Sequence, residues 1–146
     1  MTGFRKATKA AAKGRIAVFG PSGAGKTFTS LRVATGLADG KPIAFIDTER
    51  HSAVKYSDRF QFDVLELEDR SVAGYCEAIK LAEEGGYAVC IIDSLTHAWQ
   101  ELLEEIERLA KAKYRGNTWS AWSEGTPLQR KLIDAILGFP GHIIAT

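Results

Sequence analysis

The chain has little of several things that would each direct it to a particular class. Only two of its 146 residues are cysteine, Cys76 and Cys90. Two thiols make no disulfide framework, and no Cys/His cluster has metal-ligand spacing. Cys90 lies inside an apolar run and reads as a small buried residue. Reduced thiols suit a cytoplasmic setting. No apolar stretch approaches the ~18–20 residues needed to cross a bilayer, and none has the form of a signal-peptide core, so no membrane partner is expected. Neither sign of charge dominates: 19 Lys and Arg face 18 Asp and Glu, which gives no global pull toward nucleic acid or lipid. Internal repeats, low-complexity tracts and interdomain linkers are lacking too. An apolar share of 45% over this length supports a single core.

Distribution adds one feature. Arg5, Lys6, Lys9, Lys13 and Arg15 occur near the start with no acid among them. Residues 1–14 therefore read as a basic arm, either a polyanion contact or, the preferred reading, a solvated chain end. The domain proper is expected over residues 15–146.

The most informative stretch present is Gly20-Pro21-Ser22-Gly23-Ala24-Gly25-Lys26-Thr27, which fits G-x-x-x-x-G-K-[ST], the phosphate-binding P-loop. The run Ile16-Ala17-Val18-Phe19 before it reads as a buried strand. Lys26 to Ala38 after it reads as a helix with Leu31, Ala34 and Leu37 or Ala38 on one face. Such a strand-to-helix turn aims backbone N–H groups and the positive end of a helix dipole at one point, which suits a polyphosphate. Lys26 is expected to reach the β- and γ-phosphates and the Thr27 hydroxyl to hold Mg²⁺. Phe28, the next residue, is counted with the nucleotide-binding stretch. The cofactors expected are ATP and Mg²⁺.

Strand and helix signals then alternate. Ile43 to Ile46 forms a strand ending at Asp47, and Thr48 to Arg59 is polar. Phe62 to Leu67 is a further strand. Ser71 caps a helix that carries Val72, Tyr75, Cys76 and Ile79 and ends at Gly85-Gly86. Tyr87 to Ile92 is an apolar strand ending at Asp93-Ser94. A long helix follows with Leu95, Trp99, Leu102, Leu103, Ile106 and Leu109 on its inner face, and with Glu104–Arg108 and Glu107–Lys111 pairs on its outer one. Lys113 to Gly125 reads as a loop of thirteen residues, and Thr126-Pro127-Leu128-Gln129 as the start of a last helix presenting Leu128, Leu132, Ile133 and Ile136. His142 to Thr146 is a final strand. This alternation predicts a parallel sheet covered on both faces.

Asp93 ends an apolar strand about sixty-five residues after the loop, the Walker B pattern, and is expected to coordinate Mg²⁺ through water. Its alternative is a cap for the helix near Leu95. Glu49, just past the strand ending at Asp47, is placed to act as general base on the attacking water, or else is a surface carboxylate. Asp47 competes for the role of base, but its place at the strand end favours ordering of neighbouring backbone.

Together Gly20 to Thr27, Ile46-Asp47-Thr48-Glu49 and Ile91-Ile92-Asp93-Ser94 resemble the RecA-like ATPase core, most of all the phage-encoded AAA-type ATPases of the single-strand-annealing recombinase kind. The resemblance implies an α/β three-layer P-loop NTPase with a mainly parallel sheet, Glu49 as catalytic base and Asp93-Ser94 as the Walker B pair. It implies that Tyr56, nine residues after Asp47, stacks on adenine. It brings Thr146 near the nucleotide, at a place where family members often carry Gln. It also implies a homo-oligomer and a last strand inserted between the P-loop strand and the Walker B strand. Because the family continues past this point, it further implies a sheet truncated after Thr146 with the P-loop strand at or near an edge.

The stretch from Lys111 to Trp122 mixes Lys111, Lys113 and Arg115 with Tyr114, Trp119 and Trp122. That composition suits single-stranded DNA, or aromatics that anchor the loop onto the helices. Trp99 reads as core, and His51, His97 and His142 as structural or solvent-facing. The leading expectation is an ATPase that binds ATP and releases ADP in recombination or repair on single-stranded DNA. A nucleotide-gated binding module and a small-molecule P-loop kinase are the alternatives. A GTPase is disfavoured, since Asn117, the only asparagine, is in no N-K-x-D motif.

Overall fold

A computed structural model describes residues 3–9 and 12–146. Five parallel strands form one sheet: β1 (Arg15–Ala17), β2 (Ile43–Asp47), β3 (Asp63–Glu66), β4 (Val89–Asp93) and β5 (His142–Ala145), in the order β1-β5-β4-β2-β3. Four helices alternate with them: α1 (Lys26–Ala38), α2 (Val72–Glu84), α3 (Thr96–Lys113) and α4 (Thr118–Gly138). Every residue of β2 and β4 is buried, as expected of strands covered on both faces.

The pleat divides their side chains between two cores. Ile43, Phe45, Val89, Ile91 and Ile144 meet Leu31, Ala34 and Ala38 of α1 on one face. Ala44, Ile46, Cys90, Ile92 and Ile143 meet Tyr75, Ala78, Ile79 and Ala82 of α2, with Leu132 and Ile136 of α4, on the other. This is the three-layer P-loop NTPase-like arrangement. Burial pushes the Cys90 thiol up to about 12, which keeps it an inert core residue.

Local chemistry fixes the element ends. Asp39 and Gly40 turn left-handed after α1, with φ of 49° and 79°. Ser71 Oγ accepts from Gly74 N at 3.2 Å to cap α2. Asn117 Oδ1 accepts from Ser120 N at 3.2 Å to cap α4. The Arg15 guanidinium donates to Leu137 O at 3.0 Å, to Gly141 O at 2.7 Å and to Phe139 O, so it closes the end of α4, where carbonyls lack partners. Arg15 thus leaves the basic run, while Arg5, Lys6, Lys9 and Lys13 stay exposed. Gly14 N donates to His142 Nδ1 at 2.8 Å, and burial, aided by the charges of Lys13 and Arg15, holds that imidazole below its ordinary pKa.

Several expectations are corrected. The P-loop strand is shorter than Ile16–Phe19 and only partly buried, leaving Phe19 93% exposed, although its place at a sheet edge beside β5 is the one the resemblance implied. The supposed loop from Lys113 to Gly125 is a helical hairpin: α3 ends at Lys113 and α4 begins at Thr118. Pro127 is therefore inside α4 and not at its start. Trp99 is 46% exposed, stacked at 5.9 Å on Trp122 instead of lying in the core. Leu103 and Ile133 face outward as well. Arg108 pairs with Glu105, not Glu104. His51 pairs with Glu66 and His142 with the Gly14 amide, in keeping with the structural or solvent-facing roles expected of them.

Gly74 tests the close approach of α2 to its own lead-in. A methyl group there would overlap the Asp69 backbone carbonyl. Although alanine is the better helix former by about 1 kcal/mol, Gly74→Ala is expected to destabilise the domain by roughly 1–3 kcal/mol in urea unfolding. A neutral or stabilising result would show that this lead-in yields freely.

Candidate nucleotide site

The loop Gly20–Gly25 is exposed and runs directly into α1. Gly23 and Gly25 have φ of 78° and 89°, a left-handed conformation that a side chain disfavours. Open space surrounds both positions, so backbone shape is what requires glycine there. No side chain caps α1. Its first-turn N–H groups therefore point out of the helix end toward the loop, a donor set that fits an oxyanion. Lys26 Nζ donates to Gly20 O at 2.9 Å and Pro21 O at 3.0 Å. The ammonium lies across the loop, with a third donor in reserve.

Thr27 Oγ1 donates to Asp93 Oδ2 at 2.6 Å. Thr146 Oγ1 donates to the other carboxylate oxygen, Oδ1, also at 2.6 Å. Asp93 is only 2% exposed, and no Lys or Arg among the described residues pairs with it. A buried carboxylate beside a threonine hydroxyl is a hard oxygen donor set that suits Mg²⁺, which usually takes few protein ligands and keeps water. Thr27 and Asp93 are thus brought together as their positions in the sequence predicted.

Asp47 orders backbone. Its Oδ1 accepts from Glu49 N at 2.7 Å and its Oδ2 from Ala53 N at 3.4 Å. Glu49 is exposed, and its Oε1 accepts from Ser94 Oγ at 3.4 Å, which places this carboxylate next to the end of β4. Thr48, 1% exposed, latches the two strand ends: its amide donates to Asp93 O at 2.8 Å, and its hydroxyl accepts from Ser94 N at 2.8 Å. The buried Tyr75 hydroxyl donates to Ser94 O at 2.7 Å, and burial pushes that phenol up.

Tyr56 ends a short 3-10 helix, Val54–Tyr56. It meets the Phe28 ring edge-on at 5.9 Å, and Phe60 meets Phe28 at 5.3 Å. These aromatics pack against the α1 face of the core, so Tyr56 is brought to the residue that directly follows the P-loop.

Two residues were missed. His97 Nδ1 lies 2.8 Å from Thr48 Oγ1, and Arg70 donates to Thr48 O at 2.8 Å. Neither belongs to a motif or a periodic face, so the sequence carried no signal for them.

A family model described as an AAA domain matches residues 12–146. The chain belongs to this AAA-domain family. No curated protein matches it. For an AAA domain, the P-loop reading means nucleotide binding. No helix among the described residues is long and apolar enough to cross a membrane.

Lys26→Ala removes the only ammonium on the loop. Its affinity for Mg-ATP, measured by calorimetry, is expected to fall at least about tenfold. Unchanged affinity would remove the loop from nucleotide binding.

Proposed function

We propose that this AAA domain binds Mg-ATP on Gly20–Thr27 and hydrolyses it with Glu49 as general base, coupling turnover to single-stranded DNA in the manner of RecA-like recombinases. The observation that carries the reading is the junction at the end of β4. There Thr27 and Thr146 hold the Asp93 carboxylate, and Ser94 holds Glu49. Mg²⁺ on Thr27, and through water on Asp93, would neutralise charge on the β- and γ-phosphates.

The chain's own groups supply the rest. Lys26 and the first-turn amides of α1 bind and orient the phosphates. Glu49 takes a proton from water as the water oxygen bonds to the γ-phosphorus. The bond from that phosphorus to the bridging oxygen breaks, ADP keeps the electron pair, and the products are ADP and inorganic phosphate, with the proton on Glu49. Phe28 and Tyr56 form an aromatic wall next to the P-loop, and Tyr56 offers adenine a stacking partner.

DNA is assigned to the α3–α4 hairpin. Trp119 is 86% exposed, and the Trp99–Trp122 stack lies nearby on the same pair of helices. Lys111 and Arg115 are exposed beside them, whereas Lys113 is engaged by Glu124 at 3.2 Å. Exposed rings and cations together suit stacked bases and their phosphates. Assembly into a homo-oligomer belongs to the same reading. The outer strands β1 and β3 each pair on one side only among the described residues, and such edges are surfaces that other chains extend.

Glu49→Gln is expected to keep Mg-ATP affinity and lose turnover by ~10²–10⁴-fold. Normal turnover would dismiss Glu49 as base. Trp119→Ala is expected to weaken single-strand binding by roughly 1–3 kcal/mol for the base stack lost. If the unmodified protein shows no salt-sensitive DNA binding, the DNA half of the reading fails.

A further inference from the structure

Past Glu49 the carboxyl edge of the sheet opens into a pocket of about 290 Å³ lined by Thr48, Glu49, Arg50, Arg70 and His97. The lining brings together two arginines, a histidine and one carboxylate. Arg70 spends one N–H on Thr48 O at 2.8 Å, and its fork has further donors. Arg50 follows Glu49 in a left-handed turn, with φ of 53°. Among the described residues it makes no ion pair and no side-chain hydrogen bond. Thr48 Oγ1 already accepts from Ser94 N. When its own proton goes to His97 Nδ1, at 2.8 Å, the imidazole keeps Nε2–H as a donor. Both guanidinium groups in the pocket therefore retain capacity for an anion, and His97 adds a donor in that tautomer.

The position of the pocket indicates which anion. The order β1-β5-β4-β2-β3 sets the P-loop, Thr146, Asp93, Glu49 and Arg70 in sequence along one edge. Thr27 reaches across β5 to Asp93, and the pocket lies on the side of Glu49 away from Gly20–Thr27. In an in-line displacement, water and its base stand opposite the leaving oxygen. Once the bond to ADP breaks, the phosphate is on the Glu49 side.

We propose that the Arg50–Arg70–His97 pocket binds inorganic phosphate and is where the cleaved γ-phosphate passes on leaving. The pocket's affinity is independent of the hydrolysis reading, but the source of its phosphate rests on that reading. Two arginines match a phosphate's oxygens by charge and by fork geometry. Glu49 inside the same pocket repels the dianion, which favours a station that releases over one that retains.

Equilibrium dialysis of labelled inorganic phosphate against the ADP-loaded, Mg²⁺-containing protein tests this. Binding is expected, weakened about tenfold or more by Arg50→Ala and by Arg70→Gln. Arg70→Gln retains a donor for Thr48 O, and Arg50 supports no other group, so loss of the fold does not mimic the result. Binding is also expected to persist when a non-hydrolysable ATP analogue fills the P-loop. Equal phosphate binding in all variants, or full displacement by the analogue, would overturn the proposal. Displacement by a single-stranded oligonucleotide, with DNA affinity lost in Arg50→Ala, would assign the pocket to nucleic acid and overturn it equally. If the expected phosphate binding occurs in a protein that turns over no ATP, the site stands and the hydrolysis reading falls.

Discussion

Thr27 and Thr146 each donate a hydroxyl proton to Asp93, one to each carboxylate oxygen, and the Asp93 carbonyl accepts the Thr48 amide. A carboxylate that is 2% exposed is costly to hold without such partners. The same bonds bring the start of α1, the end of β5 and the end of β2 to one point. Removing that acid would leave two hydroxyls unpartnered in the same place. It would also sever the one polar link, among the described residues, between the P-loop helix and the strand ends beyond β5.

The sheet order is what makes this junction possible. Parallel strands bring all their carboxyl ends to one edge, so the residues that follow β1, β2, β4 and β5 share a surface. β4 sits between β5 and β2, which puts Asp93 within reach of the P-loop on one side and of Glu49 on the other. Rigidity comes from below. β2 and β4 are buried throughout, and residues in such close-packed layers do not drift independently. Thr48 and Ser94 extend this stiffness beyond the last ladder bonds by exchanging hydrogen bonds with one another's strand ends.

What the sequence made legible follows from the same physics. The places of Gly23, Gly25, Lys26, Thr27 and Asp93 were readable because each depends on a local strand-turn-helix unit, and that of Glu49 because it directly follows a strand end. The α3–α4 hairpin was not. Gly116 and Asn117 do mark its turn, but Gly125 looked like a second break. It is instead the point where α4 passes so close to α3 that a Cβ would stand 2.6 Å from Ile106 Cδ1. Tertiary packing, with Ala121 and Leu128 beside it, outweighed a poor local propensity. Pro127 then misled in the same direction, since proline favours a first turn yet here lies on the exposed side of a continuing helix. Phe19 and Trp99 were misplaced for a related reason: an apolar residue announces burial only if its strand or helix face is covered. β1 is at an edge, and Trp99 on α3 stays 46% exposed beside Trp122.

His97 and Trp99 occupy the first turn of α3, two positions apart. One side chain touches the latch at Thr48, and the other stacks on Trp122 at the surface assigned to DNA. Leu102, Ile106 and Leu109 pack the rest of α3 against α4. In the proposed function, the latch at Thr48 and the indole pair thus share one helical turn, which makes the start of α3 the shortest contiguous link between hydrolysis and DNA binding.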